Sequence, residues 1–558
     1  MLVKICAVNS KFIHSNPAVY SLVCYYRNLC RKANINYIDI EAHEYTVNDV
    51  YKNVLLSILA GNPKIIAFSV YIWNINFISK LCGDIKKIFP LSKIILGGPE
   101  VSFGVLPDEN IYDYVIIGEG ERAFFCLINE MQGNDISDYK EKFGYKTNGK
   151  KINCTEIENF SEIPFIYSQT DIGLFRNRII YYESSRGCPF TCTYCLSSGD
   201  GKIRYQPLER VYNEIDFFLT EKNIRQVKFV DRTFNSNKNR AYEIFKYIIN
   251  NTVCENNDYE RSINFHFEIC ADLLDENIIN LLSKAERGLI QFEIGIQTTT
   301  KETLEACTRK TDIKKCFDNI KLLLKNNNIN IHVDLIAGLP KETFDSFKYA
   351  FNQVYSLNAH KFQLGFLKLL KGAPINSQIE QYAYKFSEYP PYEILTNSDM
   401  SYDDLAILNR IEIVLEKFYN SGKINSSLSY LINNHDCFKT PFDFYLCFSN
   451  YLIQRNMLYS SLSLDNLYNI LIDFAFNKKI NIVYLKEMLL LDYHSGDIYD
   501  TPPKAVRDIW EPYKNYRTAA IHENANLTAR KIGQEYYFFE YNKKNPVTGR
   551  YEYLTRKK

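Results

Sequence analysis

Up to Pro374, short apolar runs alternate with amphipathic stretches, and this alternation is what most restricts the fold. "LVKICAV" reads as a buried strand, and "PAVYSLVCYYRNLC" after it has helical spacing. "INYIDIEA", "PKIIAFSVYI", "SKIILGG" and "YDYVIIG" repeat the strand pattern, with "DVYKNVLLSILAG", "NFISKLCGDIKKIF" and "ERAFFCLINEM" as helices. Such alternation predicts a parallel, doubly wound sheet whose ligands bind beyond the carboxyl ends of its strands. The pattern lapses over residues 136–175, a polar linker in which Asn148-Gly149 predicts a hairpin turn. It resumes with "RIIYYESS", "QVKFVD", "INFHFEIC", "LIQFEIGIQ", "INIHVDLIAGLP" and "KFQLGFLKLL", each followed by a helical stretch or loop. Six such units predict a partial (β/α)6 barrel with its site at the carboxyl-end loops. Beyond it the chain reads largely as helix to about residue 490, then as short strands, with "NPVTGR" as a hairpin loop. The expected organisation is α/β: a doubly wound domain at 1–135, the linker, a barrel at 176–375, and a mostly helical region at 376–558.

Composition excludes some functions. Formal net charge is +1 over 558 residues, which argues against bulk nucleic-acid binding or an acidic membrane partner. No apolar stretch is long enough to span a membrane. "MLVKICAVNSKFIHSN" reads as a first strand and not a signal peptide, because polar residues interrupt it at once. Of fifteen cysteines, most sit singly in apolar patterns, as at Cys24, Cys82, Cys126 and Cys447, and read as small core residues. A reducing cytoplasm is the expected location.

Cys188, Cys192 and Cys195 are the exception. They lie in "ESSRGCPFTCTYCLSSG", directly after the first barrel strand, with spacing C-x3-C-x2-C. Structural zinc takes four ligands, usually as two short pairs, and no second pair is present. A [4Fe–4S] cluster normally takes four thiolates, so three leave one iron open. A zinc clip is the alternative at this point.

"RGCPFTCTYC" resembles the signature of radical S-adenosylmethionine proteins. The resemblance implies that the three cysteines hold a [4Fe–4S] cluster and that the open iron chelates S-adenosylmethionine. One-electron reduction, by a donor such as flavodoxin or ferredoxin, then yields a 5′-deoxyadenosyl radical. It places Tyr194 near the adenine. At the later strand ends it implies Glu268, Gln297, Thr298, Arg309 and the backbone at Gly338 as S-adenosylmethionine contacts. Glu268 also reads as a residue satisfied within the barrel, Arg309 as a solvated helix charge, and Gly338 as a turn glycine. "FVDRTFN" stands where many relatives carry a Gly-Gly-Glu motif, which this chain lacks.

The first domain resembles the cobalamin-binding domain of B12-dependent members of that family. This implies that Ser69 in "FSVYIWN", Gly97 and Gly98 in "KIILGGPE", and Gly118 and Gly120 in "VIIGEGERAF" line the cobalamin groove. Many such domains carry Asp-x-His-x-x-Gly after the first strand. Here "NSKFIHSNPA" keeps only His14, with Phe12 and Pro17 at the other two places. His14 is then either a cobalt ligand or a polar loop group. "FQLGFLKLLKGAP" and "FFEYNKKNPVTG" resemble a poorly characterised subgroup whose carboxyl-terminal domain has no assigned chemistry. The expected function is radical chemistry with cobalamin taking part, foremost methyl transfer to an unactivated carbon of an unknown substrate. The alternatives are rearrangement or cyclisation without methyl transfer, a radical enzyme whose first domain no longer binds cobalamin, and a non-enzymatic cluster-bearing sensor.

Overall fold

Seven strands build the first sheet: β1 (Val3–Asn9), β2 (Ile40–Thr46), β3 (Ile65–Ser69), β4 (Lys93–Gly97), β5 (Tyr114–Ile116), β6 (Lys146–Asn148) and β7 (Lys151–Asn153). This computed structural model describes residues 1–199, 201–252, 263–496, 501–510 and 527–556. The strand order is β2-β1-β3-β4-β5-β7-β6, and β1 to β5 pair in parallel. The order reverses between β1 and β3, which is where a doubly wound sheet opens a ligand crevice. All of β1 is buried, because helices cover both faces of such a sheet and each side chain must meet apolar neighbours. Lys4 tolerates that position because its ammonium reaches the carbonyls of Ser57 and Ala60, at 3.0 and 2.8 Å. Those carbonyls end the helix Tyr51–Leu59, where a cation is favoured.

The predicted hairpin turn forms, with Gly149 at φ +58°. It is not a free linker. β7 runs parallel to β5, with Val115 opposite Lys151, and Ile152 is buried, so the hairpin extends the first sheet. The second strand also starts later than its apolar run suggests, at Ile40.

The barrel strands are β8 (Ile180–Tyr182), β11 (Gln226–Phe229), β12 (Asn264–Ile269), β13 (Ile290–Gln297), β14 (Asn330–Ala337) and β15 (Lys361–Phe366); between β8 and β11 come β9 (Ser185–Gly187) and β10 (Ile203–Tyr205). The described chain divides into two compact units, the first being Met1–Glu268 with Lys368–Gln378 and Phe386–Glu393. In that unit β11 pairs in parallel with β8 and β12, Lys228 standing level with Tyr181 and His266. In the second unit β14 pairs in parallel with β13 and β15. Burial alternates along β13 and β14, as it must when one strand face meets apolar helices and the other carries polar groups. The six strands that were expected are present, although β15 is followed by the short turn Pro374–Gln378 and not by an α-helix.

The second unit also holds the helices Tyr402–Val414, Asn425–Ile432, Pro441–Gln454, Leu464–Asn477 and Ile482–Gly496, and an antiparallel sheet of Leu527–Ile532, Glu535–Asn545 and Arg550–Arg556. "NPVTGR" turns between the last two strands, with Gly549 at φ +68°. Phe438, Phe444, Phe448 and Phe474 are buried against one another, so the aromatic richness here packs a core. Among the described residues no helix is long and apolar enough to cross a membrane.

Candidate functional site

The three cysteines lie on an excursion closed at its base by a short antiparallel ribbon. β9 pairs with β10, with Gly187 opposite Ile203, Arg186 opposite Arg204 and Ser185 opposite Tyr205. Gly187 has φ +107°, and the Lys202 carbonyl occupies the place of a Cβ, so only glycine lets the loop leave β9 here. Cys192 is buried, and Cys188 and Cys195 are half-buried. The Ser197 amide donates to Cys195 Sγ at 3.4 Å, and Thr233 Oγ1 lies 3.7 Å from Cys188 Sγ. Tyr194 is half-buried on the turn between the last two cysteines.

Asp231, just beyond β11, ties down the start of this loop. It is buried and accepts from the Ser184 amide (3.0 Å), Ser184 Oγ (2.7 Å) and Ser185 Oγ (2.5 Å). Burial pushes its carboxyl up to about 6, against the pull of the two serines.

A cavity of about 1060 Å³ opens beside the loop, slightly above the usual range for small-molecule sites of about 300–1,000 Å³. His14, Ser69, Gly97, Gly98, Gly118, Gly120 and Glu268 all line it, together with Gly187, Leu196 and Ser197 from the cysteine segment. Register explains the first group: Ser69 pairs with Gly97, and Gly97 with Ile116, across the carboxyl edge of the first sheet. Gly98, at φ +114°, holds a tight turn in which a Cβ would stand 2.5 Å from the Val70 carbonyl oxygen. Gly118, at φ +79°, faces open space. Asn16 Nδ2 donates to Ser69 Oγ at 3.4 Å, while Asn16 Oδ1 is buried with no hydrogen-bond partner. An orphaned buried acceptor on a cavity wall marks a place for a ligand donor or an ordered water.

His14 Nδ1 lies 2.6 Å from Tyr181 Oη. Burial, then Lys11 and Lys228, lower its pKa and keep the imidazole neutral. Glu268 is not left as an isolated charge: Lys228 Nζ stands 3.2 Å from its Oε1.

The remaining predicted residues belong to the second unit. Gln297 ends β13 in the left-handed region, φ +70°, and its Oε1 is buried with no hydrogen-bond partner. Thr298 Oγ1 donates to Glu342 Oε1 at 2.5 Å, and the Thr300 amide donates to Thr298 Oγ1 at 3.1 Å. Burial pushes the Glu342 carboxyl up to about 8, despite the hydroxyls of Thr298 and Thr300. Arg309 is no free helix charge, since its guanidinium donates to the Gly295 carbonyl. Gly338 has φ +86°, and its carbonyl accepts from Asn397 Nδ2 at 3.0 Å, which gives that turn a structural role.

Sequence reading passed over Arg186, Glu119, Glu121, Asp231 and Glu342. The acids alternate with glycines in "GEGE", and Arg186 stands two residues before Cys188. Alternation of charge with glycine at a strand end, opposite a lone arginine beside a ligand loop, was the available signal. Burial would raise the Glu119 carboxyl, yet Arg204 and Arg186 draw it down to about 2.

Three family models match the chain. Residues 9–127 match the B12 binding domain, residues 182–354 the Radical SAM superfamily, and residues 380–547 a protein of unknown function (DUF4080). The chain is 25% identical to an uncharacterized methyltransferase, PH0819, of Pyrococcus horikoshii, over 56% of this chain and 67% of that one. It is 25% identical to the cobalamin-dependent radical SAM methyltransferase TokK of Streptomyces tokunonensis, over 58% of this chain but only 50% of that one. Among solved structures it resembles the radical S-adenosylmethionine methyltransferase TsrM of Kitasatospora setae, determined with cobalamin and a [4Fe–4S] cluster bound. The TM-score is 0.53 and the identity 15%, over 70% of this chain and 79% of that one; this likeness is one of fold.

The matched domains imply a [4Fe–4S] cluster, S-adenosylmethionine and cobalamin, and the residues present fit them. Three thiols on one loop, one of them accepting from the Ser197 amide, suit a cluster. Among the described residues no three His, Cys, Asp or Glu side chains converge as they would on one ion. Each thiolate of a cluster binds its own iron, so convergence is not required. The open wall at Gly118 and the orphaned Asn16 oxygen suit a large polar ligand at the sheet edge.

Proposed function

We propose that this chain, a radical S-adenosylmethionine protein with an amino-terminal B12-binding domain, is an enzyme that transfers methyl groups to an unactivated carbon. One observation carries the reading: the carboxyl edge of the first sheet and the base of the three-cysteine loop wall a single cavity. When bound, the cluster with S-adenosylmethionine supplies a carbon-centred radical by one-electron cleavage, and cobalamin supplies a methyl carrier.

The chain's own residues do the positioning. Cys188, Cys192 and Cys195 anchor the cluster, and the ribbon of β9 and β10 fixes their loop. Ser69, Gly97, Gly98, Gly118 and Gly120 form the cobalamin groove, where glycines let the ligand approach the backbone. Glu268, Gln297, Thr298, Arg309, Gly338 and Tyr194 are the proposed contacts of S-adenosylmethionine, and a small electron carrier of the flavodoxin or ferredoxin class is the proposed reductant.

His14 acts in this reading as a polar wall group held by Tyr181, not as a cobalt ligand. His14→Ala is expected to leave the axial-ligand bands of bound cobalamin unchanged in the absorption and EPR spectra. A change in axial ligation would overturn that assignment.

The decisive experiment supplies S-adenosylmethionine with a labelled methyl group to the anaerobically purified protein, reductant and cell extract. The expected result is 5′-deoxyadenosine together with label in a stable product. Deoxyadenosine without transferred label would favour rearrangement or cyclisation. Failure to form deoxyadenosine with a loaded cluster would overturn the enzyme reading.

A further inference from the structure

Arg186 binds three carboxylates at once. Its Nη1 lies 3.0 Å from Glu119 Oε1, and its Nη2 3.1 Å from Glu121 Oε1. Nε and Nη2 grip the two oxygens of Glu183 at 2.9 and 2.8 Å. The guanidinium also lies over the Phe160 ring, 5.1 Å from its centroid. Glu119 is held from other sides too: Arg204 Nη2 reaches Oε1 at 2.6 Å, and the Ile157 amide donates to Oε2 at 2.9 Å.

The two ends of this clamp belong to different jobs. Glu119 and Glu121 alternate with Gly118 and Gly120 in the turn after β5, a wall of the cavity. Arg186 belongs to β9, one residue before the strained Gly187 and two before Cys188. Glu121 is buried, so an unpaired carboxylate there would be costly. Only a planar fork with five donors spans three acids in this way, and a lysine carries the same charge without the fork.

We propose that Arg186 is a positioning residue shared by the two cofactor sites, so that ordering one lowers the cost of ordering the other. This rests on the reading that the chain binds both a cluster and cobalamin. Without a cluster, the loop after Cys188 lacks its main cross-link, and Arg186 at its root is held only by the β9–β10 ribbon, the Asp231 contacts beside it and its own carboxylates. The turn that carries Gly118 and Gly120 then keeps Arg204 and the Ile157 amide on Glu119 but has a weaker hold on Glu121, and must be ordered further when cobalamin binds. A cluster meets that ordering cost beforehand, which couples the sites without new contacts, and the coupling is reciprocal.

The test titrates hydroxocobalamin into the full chain, anaerobically, with and without the reconstituted cluster, and follows cobalamin absorbance. Wild type is expected to bind at least about fivefold more tightly with the cluster present, the lower end of ordinary coupling. Arg186→Lys is expected to bring this ratio close to one while iron content is retained. The double variant Glu119→Gln/Glu121→Gln, which removes both turn carboxylates from Arg186 but leaves Glu183 on it, is expected to do the same and decides the matter if the lysine variant does not fold. Equal affinity with and without the cluster in wild type, or an unchanged ratio in the folded variants, would overturn the proposal. Absence of any cobalamin binding is a different result, and it would overturn the underlying reading as well.

Discussion

Replacing Cys192 with alanine is expected to give a folded chain that keeps almost no iron after anaerobic reconstitution. Cys192 is buried, but its loop is closed by the β9–β10 ribbon and anchored through Ser184 and Ser185 on Asp231. None of those supports uses the Cys192 thiol. Loss of one small side chain therefore costs about 1–2 kcal/mol of packing, which a large chain tolerates. The proposed cluster has no such reserve: with three thiolates assigned to it, removal of one leaves a second iron open to solvent and chelators. Iron and sulfide are expected to fall from about four of each per chain to near zero, with loss of the reduced-cluster EPR signal and of deoxyadenosine formation. Cys82→Ala, at a buried thiol in the core of the first sheet, is the control and is expected to retain full iron. A wild-type chain that takes up one zinc and no sulfide would restore the zinc alternative.

The parts of this molecule that follow from local pattern were legible in its sequence, and those made by long-range pairing were not. Apolar runs separated by helix-length stretches located β1, β3, β4 and all six barrel strands, because each strand buries at least one face for reasons written in its own residues. The Asn148-Gly149 turn was legible for the same reason, whereas the pairing of β7 with β5 depends on register between segments some thirty-five residues apart. Ser69, Gly97 and Gly118 could be placed because strand ends converge in any doubly wound sheet. Arg186 could not be, because its importance lies in two glutamates 65 and 67 residues earlier in the chain. Asp231 was missed similarly: a lone acid in "FVDRTFN" says nothing about the three donors from Ser184 and Ser185 that meet it. Long-range polar contacts carry no periodicity, so only geometry reveals them.

Glu342 gives the second large effect, a pH dependence of stability with a definite sign. Its side chain is fully buried, with the Thr298 hydroxyl at 2.5 Å, and burial outweighs the threonines to push the carboxyl up to about 8. In the unfolded chain the same group titrates near 4.3. Between about pH 4.5 and about 8 the folded state therefore holds a proton that the unfolded state has released. Stability from this group is complete below the unfolded pKa and is lost as pH rises toward 8, with a slope of up to about 1.4 kcal/mol per pH unit. Asp231, at about 6, acts in the same direction but only over the lower part of this range. His14, His360 and His494, whose pKa values burial lowers, act in the opposite direction below about 6.5. The difference between wild type and Glu342→Gln cancels these shared contributions and isolates Glu342. The glutamine is uncharged at every pH and retains an oxygen for the Thr298 hydroxyl. Urea unfolding is expected to give similar stabilities for the two chains at pH 5 and a growing advantage for the glutamine chain toward pH 8. Substitution by leucine would leave Thr298 Oγ1 without its acceptor and should destabilise at both ends of the range, which separates loss of the hydrogen bond from loss of the titration. Parallel curves for wild type and Glu342→Gln from pH 5 to 8 would mean that the carboxyl is already ionised throughout, with the Thr298 contact made to a charged acceptor.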